Sequence, residues 1–307
     1  MSEPLRIGTR GSKLALAQAE WLRRRLAAAH PQRRVELVVI RTSGDRITDV
    51  PLHQLGGKGL FVKELETALL DGAIDAAVHS LKDVPGELAD GLVLACVPER
   101  EAAHDVVLTR AAGGLAALPP GARAGTSSPR RAALLRALHP RLQVVDLRGN
   151  VDTRLAKLAR GEVDATVLAA AGLNRLGLTP PHATACDPHQ FVPAIGQGAL
   201  ALESRPGPMV ELLRAVEHAP SRRAIDAERA FLQTIGGTCT TPLGGYAELD
   251  GEALTLRAVI AHPDGTRLVR GERRGDAADA ARLGADLARA LLADGGAAVL
   301  RELGWTG

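Results

Sequence analysis

The chain has 307 residues, 46% hydrophobic and 24% charged, which is ordinary globular composition and long enough for two or three domains. Its net charge is only +3, and it carries 2 Trp, 1 Tyr and 3 Phe, so a strongly basic nucleic-acid surface with base-stacking aromatics is not expected. Cys96, Cys186 and Cys239 are widely spaced with no CxxC pair, which disfavours a disulfide framework and a structural zinc site and fits a reducing compartment.

Glu3 and Arg6 interrupt any apolar leader, and no apolar run is long enough to span a bilayer, so a cytoplasmic location is expected. Leu5 to Thr9 reads as a short buried strand. Gly8-Thr9-Arg10-Gly11 turns, and Ser12 caps a helix whose apolar positions are Leu14, Ala17, Trp21, Leu22 and Leu26. Val35 to Arg41 is a strand, and Thr42 to Gly59 is a long loop rich in Gly, Asp and Thr, read as a mobile cover holding Lys58. Phe61 to Leu70 is a helix, and Ile74 to His79 a strand that runs into Ser80-Leu81-Lys82-Asp83-Val84-Pro85.

Leu92 to Val97 and Asp105 to Leu108 read as strands near a crossover between lobes. Leu142 to Asp146 and Ala165 to Ala169 are strands of a second lobe. Pro193-Ala194-Ile195-Gly196-Gln197-Gly198 suits a hinge or a ligand-contacting turn. Ala199 to Glu203 is a strand and Val210 to Val216 a helix. Ser221 can cap a helix through Thr234. Pro242 to Leu249, Ala253 to Ala261 and Thr266 to Arg273 are strands, with His262-Pro263-Asp264-Gly265 as a hairpin turn, and Asp276 to Ala293 is an amphipathic helix.

Two segments repeat. GAIDAAVHS, from Gly72, resembles GEVDATVLA, from Gly161, and IGTRGSKLA near the N-terminus resembles AGTSSPRRA near Gly125. Two similar βα lobes, each with an anion-friendly turn, account for both echoes. The segment Gly125 to Arg154 is the densest in candidate chemistry. Ser128 is a good N-cap with Pro129 in the first turn, followed by Arg130 and Arg131, where the helix dipole disfavours cations. Arg148 and Arg154 flank a second strand-to-helix turn. A ligand with several carboxylates or phosphates would explain four arginines so placed. Cys239 lies on a Gly/Thr loop, unlike Cys96 in an apolar strand, and spacing leaves its role open between a reactive thiol and an inert one.

Nine segments closely resemble the porphobilinogen deaminases, also called hydroxymethylbilane synthases. They are TRGSKLALAQ, GGKGLFVKELE, DAAVHSLKDVP, GTSSPRR, LRGNVDTRL, LAAAGLNRLG, PAIGQGALALE, ERAFLQ and GGTCTTPLG, in the family's order over almost the whole chain. The resemblance implies an α/β fold: two periplasmic-binding-protein-like lobes joined by crossovers, plus a small C-terminal α+β domain. The expected division is 1–99 with 197–218, then 100–196, then 219–307.

The implied activity is loss of ammonia from porphobilinogen and head-to-tail condensation into a linear tetrapyrrole, grown on a dipyrromethane cofactor held by Cys239. Asp83 would be the catalytic carboxylate, facing the azafulvene cation; as a bare sequence feature it reads as a helix N-cap. Lys82, Ser128, Arg130, Arg131, Arg148 and Gln197 would bind the cofactor. Arg10, Ser12, Lys58, Phe61, Arg154 and Arg175 would bind substrate. No metal, nucleic acid or membrane partner is expected, and the protein is expected to be a monomer. Gln54, Pro129 and Thr238 depart from the family's usual residues. The competing reading is a two-lobed small-anion binding module, which needs the arginines but no thiol.

Overall fold

The computed structural model describes residues 3–41, 62–237 and 241–304. The fold is mixed α/β, with two five-stranded sheets and a C-terminal three-stranded sheet with helices. Two compact units emerge, one of residues 1–101 and 198–222, the other of 102–197 and 223–307.

In the first unit the strands are β1 (Leu5–Thr9), β2 (Val35–Val39), β3 (Ala76–Ser80), β4 (Val93–Cys96) and β10 (Leu200–Ser204). Their order is β2-β1-β3-β10-β4. β1 is parallel to β2 and β3, and β10 runs antiparallel to both of its neighbours. The helix Lys13–Ala29 buries Leu22 and Leu26 against this sheet, and Gln18 is also buried, its amide donating to Ser80 Oγ at 2.9 Å.

The second unit repeats that topology. Its strands are β5 (Asp105–Thr109), β6 (Arg123–Gly125), β7 (Gln143–Val145), β8 (Ala165–Ala169) and β9 (Ala183–Ala185), in the order β7-β6-β8-β5-β9. β6 is parallel to β7 and β8, and β5 is antiparallel to its neighbours. The sequence echoes fall on equivalent elements: β1 with β6, and β3 with β8. Gly8 and Gly125 correspond, and each is required by close approach. A Cβ on Gly8 would lie 2.3 Å from Ile74 Cδ1, and one on Gly125 2.9 Å from Val163 Cγ1. Ile74 and Val163 are themselves matched residues of the other echo.

The remaining chain forms an antiparallel sheet of β11 (Leu243–Asp250), β12 (Ala253–Ala261) and β13 (Leu268–Asp276). The helices Ala219–Ile235, Ala280–Leu291 and Ala297–Glu302 join it in a core that includes Phe231, Leu256, Ile260 and Leu287. The hairpin turn at His262–Gly265 forms as read, with Gly265 at φ +79 and its N–H donating to His262 O at 2.9 Å.

Among the helix starts that differ from the sequence reading, that of Val210 to Val216 moves to Pro208, and two others have a local cause. The helix expected to begin after Ser221 begins at Ala219, because Pro220 lacks only an N–H that the first turn leaves unpaired anyway. Ser221 Oγ instead accepts from Arg100 N at 2.9 Å and meets His218 Nδ1 at 2.8 Å. Asp276 does not open a continuous helix. Its carboxylate accepts from Ala278 N at 2.8 Å, a short 3-10 turn follows, and the α-helix starts at Ala280.

Candidate active site

In the second unit, β6 ends at Gly125 and the helix Pro129–Leu138 begins four residues later. Ser128 is its N-cap, with Oγ accepting from Arg131 N at 3.4 Å, and Pro129 occupies the first turn. Arg130 and Arg131 turn inward and are only 3% and 6% exposed. The sequence reading expects an anion beside them, and the chain itself supplies one in Asp105, which opens β5 and is fully buried.

Arg130 Nη2 donates to Asp105 Oδ2 at 2.8 Å, and Arg131 Nη2 and Nε donate to Oδ1 at 2.7 and 3.1 Å. Two further donors reach backbone carbonyls, Arg130 Nη1 to Val192 O at 2.7 Å and Arg131 Nη1 to Val167 O at 3.0 Å, while the buried Arg130 Nε meets no hydrogen-bond partner among the described residues. Gln197 Nε2 adds bonds to Asp105 Oδ1 at 2.9 Å and Ala103 O at 2.6 Å. Burial pushes the Asp105 pKa upward, but the two guanidinium groups outweigh it and hold the carboxyl far below its usual range. Burial lowers the Arg130 pKa, with Asp105 opposing.

The second turn has a different balance. Asn150 caps the helix Val151–Ala159, its side chain accepting from Thr153 N at 3.0 Å, and Gly149 takes φ +113. Arg148 Nε lies 3.6 Å from Asp146, and its carbonyl accepts from Lys157 Nζ at 3.2 Å. Arg154 donates to two neutral oxygens, Gly149 O at 2.8 Å and Ser127 Oγ at 3.2 Å. Its pKa is pushed down to about 10, first by burial, then by Arg131, with Asp146 opposing and Arg148 adding to the shift. Arg131, Arg148 and Arg154 therefore form one electropositive cluster beside Ser127, able to take an anion. Arg175 ends the short helix Ala170–Arg175 and is half-buried.

In the first unit, Ser12 caps the helix Lys13–Ala29 as read, accepting from Ala15 N at 3.2 Å, with half-buried Arg10 two residues before it. β3 leads straight into the 3-10 turn Leu81–Asp83, where Lys82 and Asp83 are both half-buried. The N-cap alternative for Asp83 fails, since no α-helix follows it before β4. Behind this turn, His79 on β3 and Glu203 on β10 form a deeply buried pair, Nε2 to Oε2 3.0 Å. Lys58, Phe61, Gln54, Thr238 and Cys239, with the loop 42–59, lie outside the described residues. The residue that sequence reasoning missed is Asp105. Its only signal was a charge opening an otherwise apolar strand. Among the described residues no group of three or more His, Cys, Asp or Glu is placed to hold a metal ion.

Comparison with known proteins places this geometry. Residues 5–209 match the family model "Porphobilinogen deaminase, dipyromethane cofactor binding domain", and residues 223–293 match "Porphobilinogen deaminase, C-terminal domain". The chain belongs to the porphobilinogen deaminase family. Curated relatives with that name include one from Nitratidesulfovibrio vulgaris (strain Miyazaki F), 50% identical over 304 residues and covering 97% of this chain and 96% of the relative. Another, from Bordetella parapertussis, is 51% identical over 303 residues, covering 98% and 96%. Among solved structures, an arginine-specific periplasmic binding protein of Salmonella typhimurium aligns at TM-score 0.42 and 12% identity, covering 70% of this chain and 92% of that one. The aliphatic sulphonate binding protein SsuA of Escherichia coli aligns at TM-score 0.39 and 18% identity, covering 76% and 70%. Family membership supports the enzyme reading over the binding-module one.

Proposed function

We propose that this chain deaminates porphobilinogen and joins the units head to tail into the linear tetrapyrrole hydroxymethylbilane. Beyond family membership, the observation that carries this reading is Arg154: a half-buried guanidinium bonded, among the described residues, only to neutral oxygens, beside Arg131 and Arg148. Such a cluster fits a ligand whose pyrroles each bear two carboxylates. A dipyrromethane, thioether-linked through Cys239, would be held by Lys82, Ser128, Arg130, Arg131, Arg148 and Gln197. It would supply the pyrrole carbon on which the chain grows.

Arg10, Ser12, Lys58, Phe61, Arg154 and Arg175 would receive the incoming unit. As the C–N bond breaks and ammonia leaves, positive charge develops on the pyrrole. The Asp83 carboxylate, on its half-buried turn, stabilises that charge and holds the proton released when the new carbon–carbon bond is complete. Lys82 beside it pairs with a carboxylate of the ligand. The division into 1–99 with 197–218, 100–196 and 219–307 belongs to the same proposal, supported by a C-terminal core whose buried members other than Ile195 all fall within 219–307, although Ala133 and Val192 pack with Val259 and Ala261 and residues 102–197 and 223–307 form one compact unit. So does a cytoplasmic monomer with no nucleic-acid or membrane partner. No helix among the described residues is long and apolar enough to cross a membrane.

The test pairs turnover with intact mass. The purified chain should consume porphobilinogen with release of ammonia and should carry a dipyrromethane adduct, and Cys239→Ser should lose both. Untouched porphobilinogen would overturn the activity. An adduct retained in Cys239→Ser would move the attachment elsewhere, and light scattering checks the monomer.

A further inference from the structure

The buried charge in the second unit does not balance. Arg130 and Arg131 bring two positive charges and Asp105 one negative, all within hydrogen-bond distance and nearly excluded from water. Every bond that these two guanidinium groups make to Asp105, Val192 and Val167 fixes a plane, because the arginine fork is rigid. Arg131 thus keeps a fixed orientation from which its charge acts on Arg154.

The same carboxylate also gathers chain segments. Gln197 binds Asp105 and Ala103 together, and Val192 is bonded through Arg130. Ala103 and Asp105 lie where the chain enters this unit, and Val192 to Gln197 where its first portion ends. The turn carrying Gln197 is pinned from its other side as well, Gly196 N donating to Glu228 Oε2 at 2.7 Å while Ala247 N donates to Oε1 at 2.8 Å.

We propose that Asp105 is a positioning residue, a resident counter-ion that sets Arg130 and Arg131 at the head of their helix and joins the entering and leaving segments of the unit. It offsets one of the two charges and leaves one, so the arginines can be buried before any ligand arrives while the cluster stays attractive to carboxylates. As a statement about cofactor loading, this rests on the function proposed above.

The experiment compares wild type, Asp105→Asn and Asp105→Ala as full chains. Three quantities are read: melting temperature, the adduct-bearing fraction by intact mass, and turnover per folded molecule. Asn keeps shape but not charge, so the adduct fraction should fall at least about tenfold, as for loss of a charge-assisted contact. Asp105→Ala leaves a cavity the size of a small carboxylate. Formate should restore part of its melting temperature where chloride of equal ionic strength does not.

Wild-type loading and turnover in Asp105→Asn would overturn the proposal. So would a drop in melting alone, with the folded fraction loading normally. If neither variant folds, the charge-balanced Asp105→Asn with Arg130→Gln takes their place. It should fold and still load poorly, and normal loading would again overturn the idea. Should wild type itself carry no adduct and leave porphobilinogen unchanged, the functional reading fails instead. The formate comparison then still decides whether Asp105 acts as a counter-ion.

Discussion

The two five-stranded sheets are built on one plan and carry different chemistry. In the first, Arg6 N donates to Asp75 Oδ2 at 2.8 Å, and Asp75 N donates back to Arg6 O at 2.9 Å. In the second, Arg123 N donates to Asp164 Oδ2 at 2.8 Å, and Asp164 N donates to Arg123 O at 2.8 Å. Asp75 and Asp164 are matched within one echo, and Arg6 and Arg123 each stand immediately before a segment of the other echo, so the clasp is a repeated feature of the repeated fold. Beyond the strand ends the side-chain chemistry of the two copies diverges. β3 runs on into Leu81-Lys82-Asp83, whereas the equivalent β8 runs on into Ala170-Ala171-Gly172. The helix after β1 starts Lys13-Leu14-Ala15, while the helix after β6 starts Pro129-Arg130-Arg131. A shared scaffold thus sets where side chains emerge, and each copy is free to specialise there: one with an acid, the other with a cationic cluster.

The largest expected effect tests the acid. Asp83→Asn keeps the size of the side chain on its turn and removes the charge. Turnover should fall about a hundredfold or more, the usual range for a general acid–base group, with melting unchanged because no helix depends on a cap there. Asp83→Glu should fall between the two, since it keeps the charge but displaces it. Turnover of the Asn variant near wild type would erase the chemical difference between the two units.

A smaller effect tests the cationic cluster. Arg154→Gln should weaken elongation about tenfold, corresponding to roughly 1.5–3 kcal/mol for one charge-assisted hydrogen bond. Shorter pyrrole adducts should then accumulate in the intact-mass spectrum. Because Arg154 donates, among the described residues, only to neutral oxygens, its loss leaves no buried carboxylate stranded there, and the fold should survive. Normal elongation would leave the low Arg154 pKa without a functional account.

Much of this was legible in the sequence. Strands Ala165–Ala169 and Ala253–Ala261 end where their apolar runs end, and Ser12, Ser128 and Pro129 act in their local roles. Local signals suffice there because capping and strand burial are decided within a few residues. The echoes located the duplicated unit before any strand order was known. Asp105 was illegible for the opposite reason. Its partners stand 25, 26 and 92 residues away, and only the sheet brings them together. The same gap made Arg130 and Arg131 look as if they lacked an anion. The edge strand Ala183–Ala185 was missed because its three small, exposed residues carry no periodic signal.

The smallest expected effect tests whether the clasp is one feature or two. Asp75 and Asp164 both have lowered pKa values, for different reasons. For Asp75, burial raises it, but the side-chain and backbone bonds from Arg6 outweigh that; for Asp164 the backbone N–H of Arg123 leads, with Arg110 assisting. A carboxyl depressed in the folded state stabilises above its unfolded pKa of about 3.9, and that stability is lost as pH falls through the folded value. Asp75→Asn and Asp164→Asn should each cost about 1 kcal/mol at neutral pH, a shift of roughly 2–4 °C.

The deficit of both variants relative to wild type should shrink steadily once the pH drops below about 4, where the wild-type carboxyls take up protons. Asp75→Asn should cost slightly more, because Arg6 adds Nε and Nη2 bonds to a carboxylate 15% exposed, while Arg110 reaches Asp164 from a side chain 52% exposed and better screened by water. Matched losses with matched acid dependence would mean that the backbone half of the clasp, identical in the two units, supplies most of its stability. A loss confined to Asp75→Asn would assign that stability to the Arg6 side chain and leave the repeated backbone bonds as geometry alone.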